Sequence, residues 1–372
     1  ATGGLGGNGG SATAYGAAYG GAGGAGGAGT AVGGNGGNGG TATSAGTFEQ
    51  GGAGGAGGSG PSPGTPGQVG TPGAVQTVTL GGNSPQEMAV TPNGLYTWVA
   101  DLNGAAVYVI DNSNLSATPQ KIVIPGAGSN PTSVTFTPNG AYAWIGSFNN
   151  TLTVINTSTY QVVQQITAGN RNLDVGITAD GTKAYVTDSA NNAVRVYNTS
   201  TYALITTITG LNGPFDIAVS GNNKAYVTNY NAGTGTTVSV LNLTNNTIGS
   251  TITVGTGPLG VAVNASLSRA YVANTASGTV TVINTSTDAV VATITTGGSP
   301  RDIAVSGDGT RAYVTDSTSG KVYVIDTSNN TVLASPTIGS SHIGVAVSPV
   351  SGAPSMLYVV NKNTNTVSVQ PV

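Results

Sequence analysis

Cysteine is absent and histidine occurs once, at His342. The first absence excludes disulfides, thiolate metal sites and cysteine nucleophiles. The second leaves no material for a multi-histidine metal centre, and it gives no reason to assign a cofactor. Charge is nearly as scarce: 10 basic and 13 acidic residues make up 6% of the chain, where about a quarter is usual. The net charge of −3 provides no basic footprint for nucleic acid. No run of about 18 apolar residues occurs that could cross a bilayer as a helix. There is no Gly-x-Ser-x-Gly elbow and no phosphate loop, and the glycine runs contain no lysine and open no helix. The first residues, ATGGLGG, carry neither an initiator methionine nor a signal-peptide pattern, and read as part of a longer chain.

Glycine is abundant but unevenly spread: 31 of the 61 fall within the first 70 residues. Runs such as GGAGGAGGAG (20–29) and GGNGGNGG (33–40) have a Gly-Gly-X period of three. That period suits an extended left-handed helix with three residues per turn, so several runs could pack as a polyglycine-II bundle. The alternative is disorder, because glycine loses the most freedom on ordering and these runs have little apolar surface to offset the loss. Residues 1–60 are therefore read as a Gly-rich low-complexity segment. Residues 61–73, rich in Pro and Gly, are read as a linker.

From residue 74 onward the texture changes to short Val/Ile/Thr/Tyr runs separated by Gly, Asn, Asp, Ser and Pro. The pattern recurs. Aligned on one tyrosine per unit, the landmarks are Tyr96, Tyr142, Tyr185, Tyr226, Tyr271, Tyr313 and Tyr358. A period in the low forties with four strand-like runs per unit indicates a β-propeller. The last unit lacks its fourth run, while AVQTVTLGG (74–82) matches VVATITTGG (290–298). The fold expected for 74–372 is thus an all-β, seven-bladed propeller, its last blade completed by an N-terminal strand.

The strands AYVTD and AYVTN, with IAVS before and VYVID after, resemble the YVTN family of seven-bladed propellers. The GGAGGAGG and GGNGGNGG runs resemble the glycine-rich region of mycobacterial PE-PGRS proteins, although no PE domain is present in this sequence. Together the resemblances imply a secreted or cell-surface, cell-wall-associated protein that displays a propeller. They bring no catalytic motif.

Candidate binding residues come from the repeat. Just before the first strand of each unit stand Glu87, Ser133, Asp174, Asp216, Gly260, Asp302 and Gly344. First strands line a propeller's channel, so four units place a carboxylate around one mouth. The second strands end in Asp101, Ser147, Asp188, Asn229, Asn274, Asp316 and Asn361 on the same face. Glu87, Asp101, Asp174, Asp188, Asp216, Asp302 and Asp316 form an acid-rich face that could attract a cation, a sugar or a basic partner. The alternative is turn chemistry, in which Asp and Asn cap loops by bonding nearby backbone. His342 reads as a turn residue at the mouth. The function expected is non-enzymatic binding or adhesion to a protein or glycan, host-derived if the resemblance holds. The alternatives are a lactonase- or hydrolase-like enzyme working through the mouth carboxylates, and a structural envelope component.

Overall fold

The computed structural model describes residues 74–126, 129–349 and 355–372, together with four short strands near the start of the chain. Those four pair in parallel, Ala12–Ala14 with Ala42–Ser44 and Ala18–Tyr19 with Glu49–Gln50. The choice between a glycine-helix bundle and disorder for the Gly-Gly-X runs falls outside the described residues.

Seven four-stranded antiparallel sheets follow one another around a ring, and the described residues are all-β apart from three single-turn 3-10 segments. The innermost strands are Pro85–Val90, Pro131–Phe136, Asn172–Ile177, Pro214–Ser220, Pro258–Asn264, Pro300–Val305 and His342–Val347. Each lies beside the next, and the seventh lies beside the first, so the ring closes. Six blades take all four strands from consecutive sequence. The seventh orders as His342–Val347, Met356–Asn361, Thr366–Pro371 and then Gln76–Thr79. The N-terminal closing strand expected from AVQTVTLGG is in place. Leu80 N donates to Asn365 O at 2.9 Å, and Val78 and Leu80 join Tyr358, Val360, Val367 and Val369 in one buried cluster. Burying two such side chains is worth about 1.5–3 kcal/mol each.

Burial explains the strand sequences. All seven second strands follow one pattern, a half-buried residue and then five buried ones, because blades cover both of their faces. Strands covered on both sides read as continuous apolar runs rather than alternating ones. The outer strands, such as Val162–Thr167, are mostly exposed and carry Gln and Thr.

This pattern corrects the alignment of the repeat. The second strands of blades 1 and 2 are Tyr96–Asp101 and Tyr142–Ser147, so Tyr96 and Tyr142 open their strands where blades 3 and 4 have Lys183 and Lys224. The place of Tyr185, Tyr226, Tyr271, Tyr313 and Tyr358 belongs in those two blades to Trp98 and Trp144. An aromatic two residues away had stood in for the equivalent one.

Candidate functional site

The residues assigned to a position before the first strand lie inside it, third from its start. In every blade the pairing between first and second strands slips there, as between Pro214 and Ile217 or Pro300 and Ile303. A bulge of this kind bends the strand and re-aims its side chains. Here it turns the third residue toward the neighbouring blade: a Cβ added at Gly260 would meet Arg301 O at 2.7 Å and Asp302 Cα at 2.8 Å.

The carboxylates at this position use that direction. Asp174 Oδ2 accepts from Ile217 N at 3.2 Å, Asp216 Oδ2 from Val261 N at 2.7 Å and Asp302 Oδ2 from Val345 N at 2.8 Å. Each bond crosses to the next blade. Asp216 and Asp302 also accept, through Oδ1, from the amides of Ile217 and Ile303. The backbone amides of Asp174, Asp216 and Asp302 donate to Thr187, Thr228 and Thr315, so each second strand braces its own bulge. The Glu87 carboxylate makes no hydrogen bond to any described residue.

Crowding around the axis disfavours the charged forms of Asp302, Asp216 and Glu87. Burial raises the Asp302 pKa to about 7, against the pull of the Val345 and Ile303 amides. Burial, and then the charge of Asp174, pushes Asp216 up well above the carboxylate range, and Glu87 moves the same way for the same two reasons. Arg301 opposes the shift in Glu87. Among the described residues, no group of three acids or histidines is arranged to hold a metal ion.

The acids that end second strands are buried rather than displayed. Asp101, Asp188 and Asp316 are fully enclosed. Asp101 accepts from Asn83 N at 3.1 Å. Asp188 accepts from Asn170 N at 3.0 Å and forms an ion pair with Arg195 Nε at 2.8 Å. Asp316 accepts from Thr318 N, Ser319 N and the Tyr323 hydroxyl. Although burial opposes it, the donors of Thr318 and Ser319 hold the Asp316 carboxyl well below the usual range. Asn361 does the same work with an amide: it accepts from Ser340 N and donates to Thr366 and Ser368. Asp101 and Asp188 therefore hold the linker that enters their blade, as Asn361 does, while Asp316 holds the loop that follows its own strand.

His342 is also not an exposed turn residue. It opens its strand fully buried, with Nε2 2.7 Å from Ile338 O and Nδ1 3.1 Å from Lys321 O. Burial lowers its pKa, and the two carbonyls pull the other way. Asn172 takes the same place in blade 3 and donates to Ala168 O at 3.3 Å. The five other blades use proline there.

What does reach solvent at this mouth is a set of aromatic and arginine side chains on the loops. Arg171 lies over the Phe148 ring at 5.2 Å, and Phe215 meets Tyr230 edge-on at 5.4 Å. Arg301 is half-buried between the axial acids.

The opposite face holds a second repeated device, which the sequence reading missed. The turn between third and fourth strands places one residue in the left-handed region: Tyr160, Tyr202, Asn246, Asp288 and Asn330, with φ of 58°, 60°, 57°, 59° and 59°. In blades 4 to 6 this residue ties to the preceding blade. Asn246 accepts from Tyr185 OH at 2.6 Å, Asp288 from Tyr226 OH at 2.9 Å and Lys224 Nζ at 2.8 Å, and Asn330 from Tyr271 OH at 3.3 Å. In blades 2 and 3 the turn residue is a tyrosine that packs on a tryptophan, Tyr160 on Trp98 at 5.7 Å and Tyr202 on Trp144 at 6.0 Å. A left-handed tyrosine costs roughly 1–2 kcal/mol that asparagine largely avoids. The signal was legible: YTW and YAW pair with NTSTY, KAY and RAY with a turn ending in Asn or Asp.

No family model and no curated protein matches the sequence. Among solved structures, a chain of Kuenenia stuttgartiensis hydrazine synthase is similar with a TM-score of 0.70 and 17% identity, over 79% of this chain and 97% of that one. A chain of the mitotic checkpoint complex is similar with a TM-score of 0.69 and 13% identity, over 80% and 91%. At such identities the likeness is one of fold.

Proposed function

We propose that the chain is a non-enzymatic binding module, secreted or displayed at the cell surface, that engages a protein partner through the loops around the mouth. The supporting observation is what those loops expose. Arg171 and Tyr230 are of the types that dominate binding hot spots, Phe148 and Phe215 of a type enriched at interfaces, and they surround a mouth whose acids are mostly engaged inside the fold. Asp174, Asp216 and Asp302, with Glu87 beside them, then serve binding by fixing the channel rim, while Asp101, Asp188 and Asp316 hold loops on the same face, Asp188 the one that carries Arg171. The resemblance to YVTN propellers and to PE-PGRS glycine runs supports an extracellular, cell-wall or host-facing setting.

The test is affinity capture with the full chain, compared with a Phe148→Ala, Arg171→Glu variant and with an Asp174→Asn, Asp302→Asn variant. A specific partner lost only with the first variant supports the reading. A partner retained by both removes the mouth as its contact. One observation favours an enzyme as the second reading: a carboxyl titrating near neutrality, Asp302, beside Arg301. Turnover of an ester or lactone panel, abolished by Asp302→Asn, would decide for it.

A further inference from the structure

Two neighbouring clefts on the face opposite the mouth differ from the rest of the ring. The first, between blades 1 and 2, has a volume of about 450 Å³ and is lined by Pro92, Tyr96, Trp98, Asn139 and Tyr160. The second, between blades 2 and 3, measures about 320 Å³ and is lined by Pro138, Tyr142, Asp180, Ser200 and Tyr202. The clefts at the next blades hold Lys183 with Asp180, and Lys224 with Asp288. At equivalent positions a lysine is exchanged for Tyr96 or Tyr142, and an Asn or Asp for Tyr160 or Tyr202. The exchange removes the charged clamp and leaves half-exposed aromatic rings. It also accepts left-handed tyrosine backbones that the fold avoids elsewhere. The indole N–H of Trp144, packed under Tyr202, has no partner.

We propose that these two clefts are carbohydrate subsites, each taking one pyranose unit of a neutral polysaccharide. The inference goes beyond the reading of the mouth and concerns the other face. Tyrosine rings and a proline offer flat apolar surfaces to the C–H face of a sugar ring. The hydroxyls and amides of Thr157, Ser158 and Asn139 in the first cleft, and of Thr199 and Ser200 in the second, suit groups that both donate and accept. Neither cleft lining contains Lys or Arg, so an anionic ligand finds no counter-charge. The near-repetition of the cleft one blade along matches a polymer of repeating units better than a single small molecule.

The chain's two tryptophans, Trp98 and Trp144, sit at these clefts, so intrinsic tryptophan fluorescence reports on them alone. The full chain is titrated with cellohexaose, maltohexaose and mannohexaose. At least one is expected to shift the emission, with saturation below about 10 mM. Tyr160→Asn with Tyr202→Asn installs the turn residue of blades 4 and 6 and should weaken binding at least tenfold while the melting temperature holds. Tyr96→Lys with Tyr142→Lys, which installs the residue of blades 3 and 4, is the second variant and reads the same loss if the first fails to fold. No response to any of the three sugars overturns the proposal. So does a response undiminished in a folded variant, or a response to a proline-rich peptide alone.

Discussion

At the scale of single residues, the acids divide into two groups with opposite pH behaviour. Asp302, Asp216 and Glu87 titrate above the unfolded carboxylate value of about 4. Between that value and about 7 the native state holds more protons than the unfolded one. Their stabilising effect is therefore complete below about pH 4 and is lost as pH rises through the folded value. Asp316, Asp111, Asp180, Asp308 and Asp326 are held low by hydroxyl and amide donors, and their contribution is lost as pH falls below about 4. A melting temperature higher at pH 5 than at pH 8 is expected, and Asp302→Asn should narrow that gap; scanning calorimetry across the range checks it. Asp316→Ala strands four donors, the Thr318 amide and hydroxyl, the Ser319 amide and the Tyr323 hydroxyl, around a sealed position and should cost about 3 kcal/mol in urea unfolding. Asp316→Asn should cost less, because Asn229, Asn274 and Asn361 fill the same place in other blades.

At the scale of strands and turns, neighbouring blades are joined on both faces of the ring. Axial carboxylates bond forward near the mouth, and tyrosine hydroxyls bond forward to left-handed turns on the other face. Tyr185→Phe removes the bond to Asn246 and should cost about 1 kcal/mol, measured by urea unfolding. Deleting residues 76–79 strips the seventh blade of its outer strand and Val78 from its core, and should lower the urea midpoint far more than any point change. Much of this was legible in the sequence. The blade count, the four runs per unit and the borrowed strand follow from a period in the forties and from a missing run. The bulge was not, because a backbone irregularity has no residue signature when Glu, Ser, Asp and Gly all occupy it. Nor was the depth of Asp101 and His342, since burial depends on what packs above. The misplaced Tyr96 and Tyr142 show the limit of aligning by residue type. Trp98 and Trp144 share burial with the other blades' tyrosines, and burial sets the register.

At the scale of the molecule, the propeller spans both the first described residues after the linker and the last of the chain. Residues 74–372 expressed alone should give a β-type circular dichroism spectrum and one cooperative melt within a few degrees of the full chain. A loss of cooperativity would show that the Gly-rich segment contributes to the fold.

Closing the seventh blade with Gln76–Thr79 imposes an order on biosynthesis. That strand leaves the ribosome well before its partner, Thr366–Pro371, which lies more than 280 residues further along the chain. Throughout that interval it is an unmatched β edge, and two nascent chains brought close can each lend that edge to the other. Crowded expression should thus yield interlocked dimers that dilution does not quickly separate, whereas slow refolding of dilute chains gives monomeric rings.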